Sequence, residues 1–425
     1  MTRQRLGVSA VIGSSLAIFF PGAMTFGYPG VMGPYWQKTF GVGKGAIGLS
    51  LFFLLAMVGI FSFTAGKVQE KYGTRAMIRI GSAIVGLAAV VSAFASNIYM
   101  IYAWAALNGI GASLIYIPGL TTVQKWFPEK RGLVSGIVNL SFAISAAIMA
   151  PVFAYMFKLL PYQTMNLVIG FAALVICLVG ANFTEVPERS KFAESPVLSR
   201  AAQPAHGGDA AVRGKDRSFS VREAVQTRAF WFIWGAWAFV GASCMSMVTL
   251  SIALGLSRGF SFSDAVLILM SFNLTNGLIR FLAGYLSDIV GRKPLMAISF
   301  FAAGIAFFWL PHLSGLGGIC ALALVIGLAF GTLFAVSAPL VTDCFGLKHF
   351  GAIYGLTFTA YGFVAGVLGP ALSGHLLDSG TVTFDGVFAY LGLLAVTAGI
   401  LISLVVPPKV VMLEDKVLAK VPVSG

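Results

Sequence analysis

The sequence predicts an all-α integral membrane protein with twelve membrane-crossing helices. Three observations carry that prediction. Of its 425 residues 58% are apolar and only 10% are charged, where a soluble domain carries about 25% charged residues. Mean hydropathy is +0.90, and the apolar residues gather into stretches of about 20, the length of helix that crosses a bilayer. The basic residues fall in short runs between those stretches, the pattern of a membrane topology signal. The net charge of +13 is therefore no footprint for nucleic acid.

Taken in order, the predicted spans are 8–31, 45–66, 76–95, 98–123, 132–157, 164–183, 229–254, 264–286, 294–313, 317–342, 351–377 and 384–406. The first holds Pro21 and Pro29 and is too long for the apolar core of a cleavable signal, so it is read as a span. Fifty glycines suit helices that approach closely in lipid. With both termini assigned to the cytoplasm, 23 of the 28 Lys and Arg residues lie on the cytoplasmic side. Lys38, Lys44, Lys158 and Arg258 lie outside, and Arg280, within span 8, is the one left over, Arg79 being counted with the cytoplasmic end of span 3. This asymmetry orients the chain in a plasma (inner) membrane.

The domain organisation follows. Residues 1–183 form one six-helix half, 184–228 a polar cytoplasmic linker, 229–406 a second six-helix half and 407–425 a cytoplasmic tail. The linker, with eight basic and six acidic residues, has the composition of a flexible connector. Cys177, Cys244, Cys320 and Cys344 stand singly, with no metal-ligand spacing and no disulfide framework. No metal or cofactor is expected, no nucleophile–base set or phosphate loop suggests an enzyme, and one chain is expected to work as a monomer.

The halves repeat. Gly66 opens GKVQEKYGTR after span 2, and Gly284 opens GYLSDIVGRK after span 8, an offset of 218. Gly132 and Gly351, and Pro151 and Pro370, recur at an offset of 219. Repeats of this kind place a substrate near the midplane between them.

The second loop carries the full Gly-x-x-x-Asp-x-x-Gly-Arg-Lys pattern in Gly284, Asp288, Gly291, Arg292 and Lys293. In this the chain resembles the major facilitator superfamily, over its whole length. The first loop departs from the pattern, with Glu70 for the aspartate and Thr74-Arg75 after Gly73. The resemblance implies a major facilitator fold and a transporter. The acidic residue of each loop is expected to pair with neighbouring helix ends in one state, making Gly66, Glu70, Arg75, Gly284, Asp288, Gly291 and Arg292 a conformational latch. The alternative is that these charges only set topology.

Arg280 is the candidate functional charge. A charge at a helix centre costs about 2.5–3.5 kcal/mol on insertion scales. It lies four residues before Gly284, roughly 6 Å by helical rise, so snorkelling to the interface is an open alternative. Asn273, Asn276, Gly277 and Arg280 share one helix face at i, i+3, i+4 and i+7, a polar stripe in an oily span. A guanidinium grips a carboxylate through two parallel hydrogen bonds. All fifteen acids lie in loops, tails or span ends, which leaves a substrate anion as the natural counter-ion.

The strings NLTNGLIR (273–280), KWFPEKRGLVSG (125–136) and TRAFWFIW (227–234) resemble the branch holding oxalate–formate exchangers and bacterial monocarboxylate porters. There the span 8 arginine binds the carboxylate, which maps to Arg280. The oxalate exchangers carry a second cation in span 11, where this chain has Tyr361 and no Lys or Arg. A dianion would stay half-compensated in a low-dielectric site, so small monocarboxylates such as lactate, pyruvate or acetate are expected. Carboxylate symporters of the animal type pair the arginine with an aspartate at i−4; here that position is Asn276.

Tyr28, Tyr116 and Tyr361 are candidates to bond or enclose the anion. Tyr116 follows a glycine-rich run before Pro118, and in the resembled family a tyrosine there contributes to the site. Core packing or an interfacial belt explains each tyrosine equally well. A proton is the expected co-substrate of a symport by alternating access, carried on the substrate, a tyrosine or His375. The alternative is carboxylate anion exchange, which needs no titrating side chain.

Overall fold

In the computed structural model the described residues are 3–127, 131–185, 219–346 and 349–408. Most of the linker and the tail beyond residue 408 lie outside them, as does the side chain of Glu70. Among the described residues, twelve helices are long and apolar enough to cross a membrane. Several run past the predicted spans. Span 1 continues through two stacked helices, Arg3–Phe26 and Tyr28–Phe40. Span 2 runs Lys44–Tyr72, since helical hydrogen bonding does not stop where the hydrocarbon ends. Capping side chains set some starts: Asn97 Oδ1 accepts from the Met100 amide before span 4, and Ser261 Oγ from the Asp264 amide before span 8, each satisfying one orphan donor.

The repeat is built into the packing. Gly73 and Gly291, 218 residues apart, end spans 2 and 8 at φ 84° and 96°, a region side chains rarely adopt. Gly109 of span 4 (Ile98–Trp126) lies so close to span 2 that a Cβ would meet the Leu54 carbonyl. Gly327 of span 10 (Leu316–Phe345) stands in the same way against the Phe272 carbonyl of span 8 (Phe262–Val290). Both members of this contact recur at an offset of 218, so one small-residue joint is used twice. Gly22 against Phe142 and Gly241 against Tyr361 repeat a second joint at an offset of 219.

Spans 3, 6, 9 and 12 leave large apolar side chains such as Leu87, Phe171, Ile298 and Leu393 exposed, which is the surface lipid covers. Spans 1, 2, 4, 5, 8, 10 and 11 line a cavity of about 1400 Å³ between the halves. It opens at the end bearing the Gly66–Arg75 and Gly284–Lys293 loops, where Gly132, Asp288, Arg292 and Gly351 line its mouth. The far end is shut by contacts between the halves. A Cβ on Gly30 would meet the Val248 carbonyl, and one on Gly48 the Pro370 carbonyl. Two polar clamps close the rim. The Asp378 carboxylate accepts from the Lys44 and Gly45 amides at 2.8 and 2.7 Å, capping span 2 from the opposite half. Lys158 Nζ donates to Ser263 Oγ at 2.5 Å, so the start of span 8 meets the end of span 5 in the same way.

Span 11 is irregular where it passes the cavity. Its α-helical start, Phe350–Thr359, gives way to wide π turns over Ala360–Ala365 and Val367–Ala371 before Leu372–Asp378 resumes. Pro370, without an N–H, removes one α-helical hydrogen bond there, and such turns cluster at functional sites.

Candidate functional site: a caged arginine in the central cavity

Span 8 places Arg280 on the cavity wall. The residue is only 3% exposed, so it does not snorkel to the interface. Its guanidinium lies over three aromatic rings, 4.1 Å from the Phe334 centroid, 5.7 Å from Phe26 and 6.0 Å from Phe142. The closest contact is worth about 2 kcal/mol when desolvated. Asn276, one turn back, accepts from Nε at 3.3 Å and Nη2 at 3.1 Å through its Oδ1. That amide oxygen occupies one side edge of the guanidinium. The end edge, formed by Nη1 and the second Nη2 hydrogen, is not used by Asn276, and Nη1 is buried without a hydrogen-bond partner.

The rings and the amide orient the charge without neutralising it. No carboxylate lies within ion-pair reach of Arg280 among the described residues. A buried intramembrane charge without a protein counter-ion is costly.

The structure sorts the predicted site residues into two sets. Arg280, Tyr116 and Tyr361 line the same cavity, with Asn276 bonded to the arginine. Tyr116 donates its hydroxyl proton to Asn139 Oδ1 at 2.5 Å, so that proton is not free for a ligand. Tyr361 Oη donates to Met245 Sδ at 3.1 Å and packs on Trp237 and Phe334.

Tyr28 and Asn273 do not line the cavity. Tyr28 is buried among Trp36, Trp104 and Phe153, where its hydroxyl bonds Ser92 and Asn166. Asn273 donates to the Phe26 and Leu269 carbonyls at 3.2 and 3.1 Å in the closed part of the interface. In this conformation neither is placed to contact an anion in the cavity, contrary to the expectation for both. His375 lies at the far rim beside Gly45, outside the cavity lining.

Several cavity residues had no signal in the sequence. Phe26, Phe142 and Phe334 have the composition of any lipid-facing stripe, and Asn139 stands alone in span 5 (Arg131–Leu159). The repeat would have found part of the site. Offsets of 218 and 219 pair Tyr116 with Phe334, Phe142 with Tyr361 and Ser62 with Arg280, and all six line the cavity.

The loop motifs bond within each half. Arg292 pairs with Asp288 at 3.6 Å and with Asp343 at the end of span 10. Arg75 pairs with Glu185 at 3.0 Å and donates to the Asn182 carbonyl. Thr74, the counterpart of Arg292, joins a neutral network with Gln69 and Thr122 at 2.9 and 2.6 Å. Glu70 lies outside the described side chains.

The sequence profile of the Major Facilitator Superfamily matches residues 14–279 and 238–417. An oxalate:formate antiporter from Oxalobacter formigenes is 24% identical over 302 residues, 69% of this chain and 67% of that protein. Monocarboxylate transporter 10 from Mus musculus is 23% identical over 385 residues, 87% of this chain and 70% of that protein. Among solved structures, a bacterial homologue of the human lysosomal transporter Spinster, inward-facing and unoccupied, aligns with TM-score 0.67 at 14% identity. That alignment covers 95% of both chains.

Proposed function

Because this chain belongs to the Major Facilitator Superfamily and is a membrane transporter, we propose that its cargo is a small monocarboxylate bound by Arg280. One observation carries the reading: a buried guanidinium on the cavity wall keeps its Nη1 without a hydrogen-bond partner, and no acid of the described residues lies beside it. A carboxylate fits the end edge with two parallel hydrogen bonds. A single positive charge balances one carboxylate, which disfavours dianions. Relatives that include an oxalate:formate antiporter and a monocarboxylate transporter are consistent with this cargo.

With the basic loops cytoplasmic, the conformation described is the inward-open one, in a plasma (inner) membrane. Transport is alternating access. The far rim opens, the anion binds Arg280, the rim recloses, and the halves part at the cytoplasmic end. The leading reading is proton-linked symport by a monomer, the proton arriving with the substrate or on a cavity tyrosine. The loop motifs then act as the latch that holds the cytoplasmic end closed in the outward form.

The second reading is carboxylate exchange. Among the described residues no acid pairs with Arg280, which favours it, because exchange needs no titrating group. The test uses proteoliposomes. Arg280→Ala should abolish uptake of radiolabelled lactate, pyruvate and acetate while the protein still inserts, and uptake like that of the unaltered protein would overturn the assignment. Counterflow with and without a pH gradient separates symport from exchange.

A further inference from the structure

Span 5 presents Gly132, Ser135, Gly136, Asn139 and Phe142 to the cavity, one face of a helix by their spacing. Asn139 is the one residue of this face with a carboxamide, and its helix packs against span 8, which carries Arg280. A Cβ on Gly136 would lie 3.9 Å from the Arg280 carbonyl, and Phe142 lies 6.0 Å from the guanidinium. Asn139 falls between these two points, within about one helical turn of each.

Its amide is held in one orientation. The Tyr116 hydroxyl donates to Oδ1, which uses the only proton of that hydroxyl. The Nδ2 group is left with two donors and no bond to any described residue. We propose that Asn139, positioned by Tyr116, determines specificity by donating to a third oxygen of the anion, selecting 2-oxo and 2-hydroxy acids over plain alkanoates. The proposal rests on the reading that Arg280 takes the carboxylate.

The chemistry follows from counting oxygens. The end edge of Arg280 engages both carboxylate oxygens. A 2-oxo or 2-hydroxy group adds an acceptor on the adjacent carbon, and Nδ2 can meet it from the opposite half. An alkanoate offers only methylenes there, so closing the cavity strands a buried donor. A site that reads an oxygen in this way rejects the analogue lacking it, because its own polar group is left unpaired. For one neutral donor the discrimination is roughly tenfold. The repeat supports a division of labour. At an offset of 219 the counterpart of Asn139 is Phe358, which also lines the cavity, so the neutral donor comes from one half and the charge from the other.

The experiment is competition in proteoliposomes of the full chain, with pyruvate, lactate and propionate as probes. The unaltered protein should prefer pyruvate and lactate over propionate by roughly tenfold. Asn139→Leu, close in volume and without donors, should bring that ratio to about one as pyruvate uptake falls toward that of propionate. Tyr116→Phe frees the amide and should lower the ratio part of the way. A ratio that survives both substitutions overturns the proposal, as does equal loss of all three acids in Asn139→Leu protein whose thermal melt is intact. Arg280→Ala should remove all three acids together. If it transports them, the carboxylate reading itself has failed, whatever Asn139 does.

Discussion

Replacing Asn276 by aspartate tests the arginine without deleting it. The amide oxygen of Asn276 already receives Nε and Nη2 at 3.3 and 3.1 Å, so Asn276→Asp keeps both bonds and adds a full negative charge. The substrate carboxylate would sit on the adjacent edge of the guanidinium. Two carboxylates on neighbouring edges stand about 7 Å apart, given roughly 4 Å from each to the guanidinium carbon. At an effective dielectric of about 20 their repulsion is about 2 kcal/mol, which weakens anion binding roughly thirtyfold. The assay is ligand-induced thermal stabilisation of purified protein, titrated with lactate at neutral pH. Asn276→Ala is the control, since it loses the orienting bonds and adds no charge. Acid should protonate the introduced carboxyl, so the affinity of Asn276→Asp protein should rise as pH falls. Equal weakening in the two variants would refute the electrostatic argument, and unweakened binding in Asn276→Asp would refute Arg280 as the anion site.

Three other perturbations check the architecture. Tyr28→Phe leaves the Ser92 and Asn166 partners short of a bond in a buried cluster and should cost about 1–3 kcal/mol, seen as a lower melting temperature with carboxylate affinity unaltered. A changed affinity at normal stability would return Tyr28 to the site. Gly327→Ala drives a Cβ into the Phe272 carbonyl and should destabilise by about 1–3 kcal/mol; Gly109→Ala should do the same in the other half, and two neutral results would remove the shared joint. Asp378→Ala removes the cap on span 2. At an exposed rim this shifts the balance of closed and open far ends by about 1 kcal/mol, roughly fivefold. It should raise labelling of a Leu269→Cys variant by a membrane-impermeant thiol reagent applied from the far side, and unchanged labelling would show that the clamp carries no closing energy.

The membrane spans were readable because lipid imposes length and composition on every crossing helix. The place of Arg280 was readable because a charge inside a span is costly and rare, and that of Asn276 because it shares the same helix face. The aromatic cage was not readable. Phe334 over the guanidinium and Phe171 against lipid are the same residue type in equally oily helices, and only the fold tells them apart. Asn139 was missed for a related reason: a single amide in span 5 has no periodic partner, and its meaning comes from Tyr116 in another span. Tyr28 and Asn273 lie apart from the cavity lining in this conformation. Tyr28 shares a residue type with the cavity tyrosines, and Asn273 a helix face with Arg280, but both lie in the closed end of the interface. Helix periodicity gives the direction of a side chain but not the depth at which two halves touch.

The site breaks the symmetry that its scaffold keeps. Tyr116 answers Phe334 and Phe142 answers Tyr361 across the repeat, yet Ser62 stands where the other half has Arg280. That one difference shapes the transport cycle. In the open form the guanidinium lies on the wall of a cavity open at one end, with its Nη1 buried and unpartnered. Closing both ends without an anion would strand an uncompensated charge, a penalty of several kcal/mol. A bound carboxylate removes the penalty, so the loaded protein should interconvert faster than the empty one. Exchange flux should then exceed net uptake under either proposed coupling, and the excess should shrink if a counter-anion can fill the site on the return. Equal exchange and net rates, measured in the same proteoliposomes, would mean that the charge is discharged by a group other than the cargo.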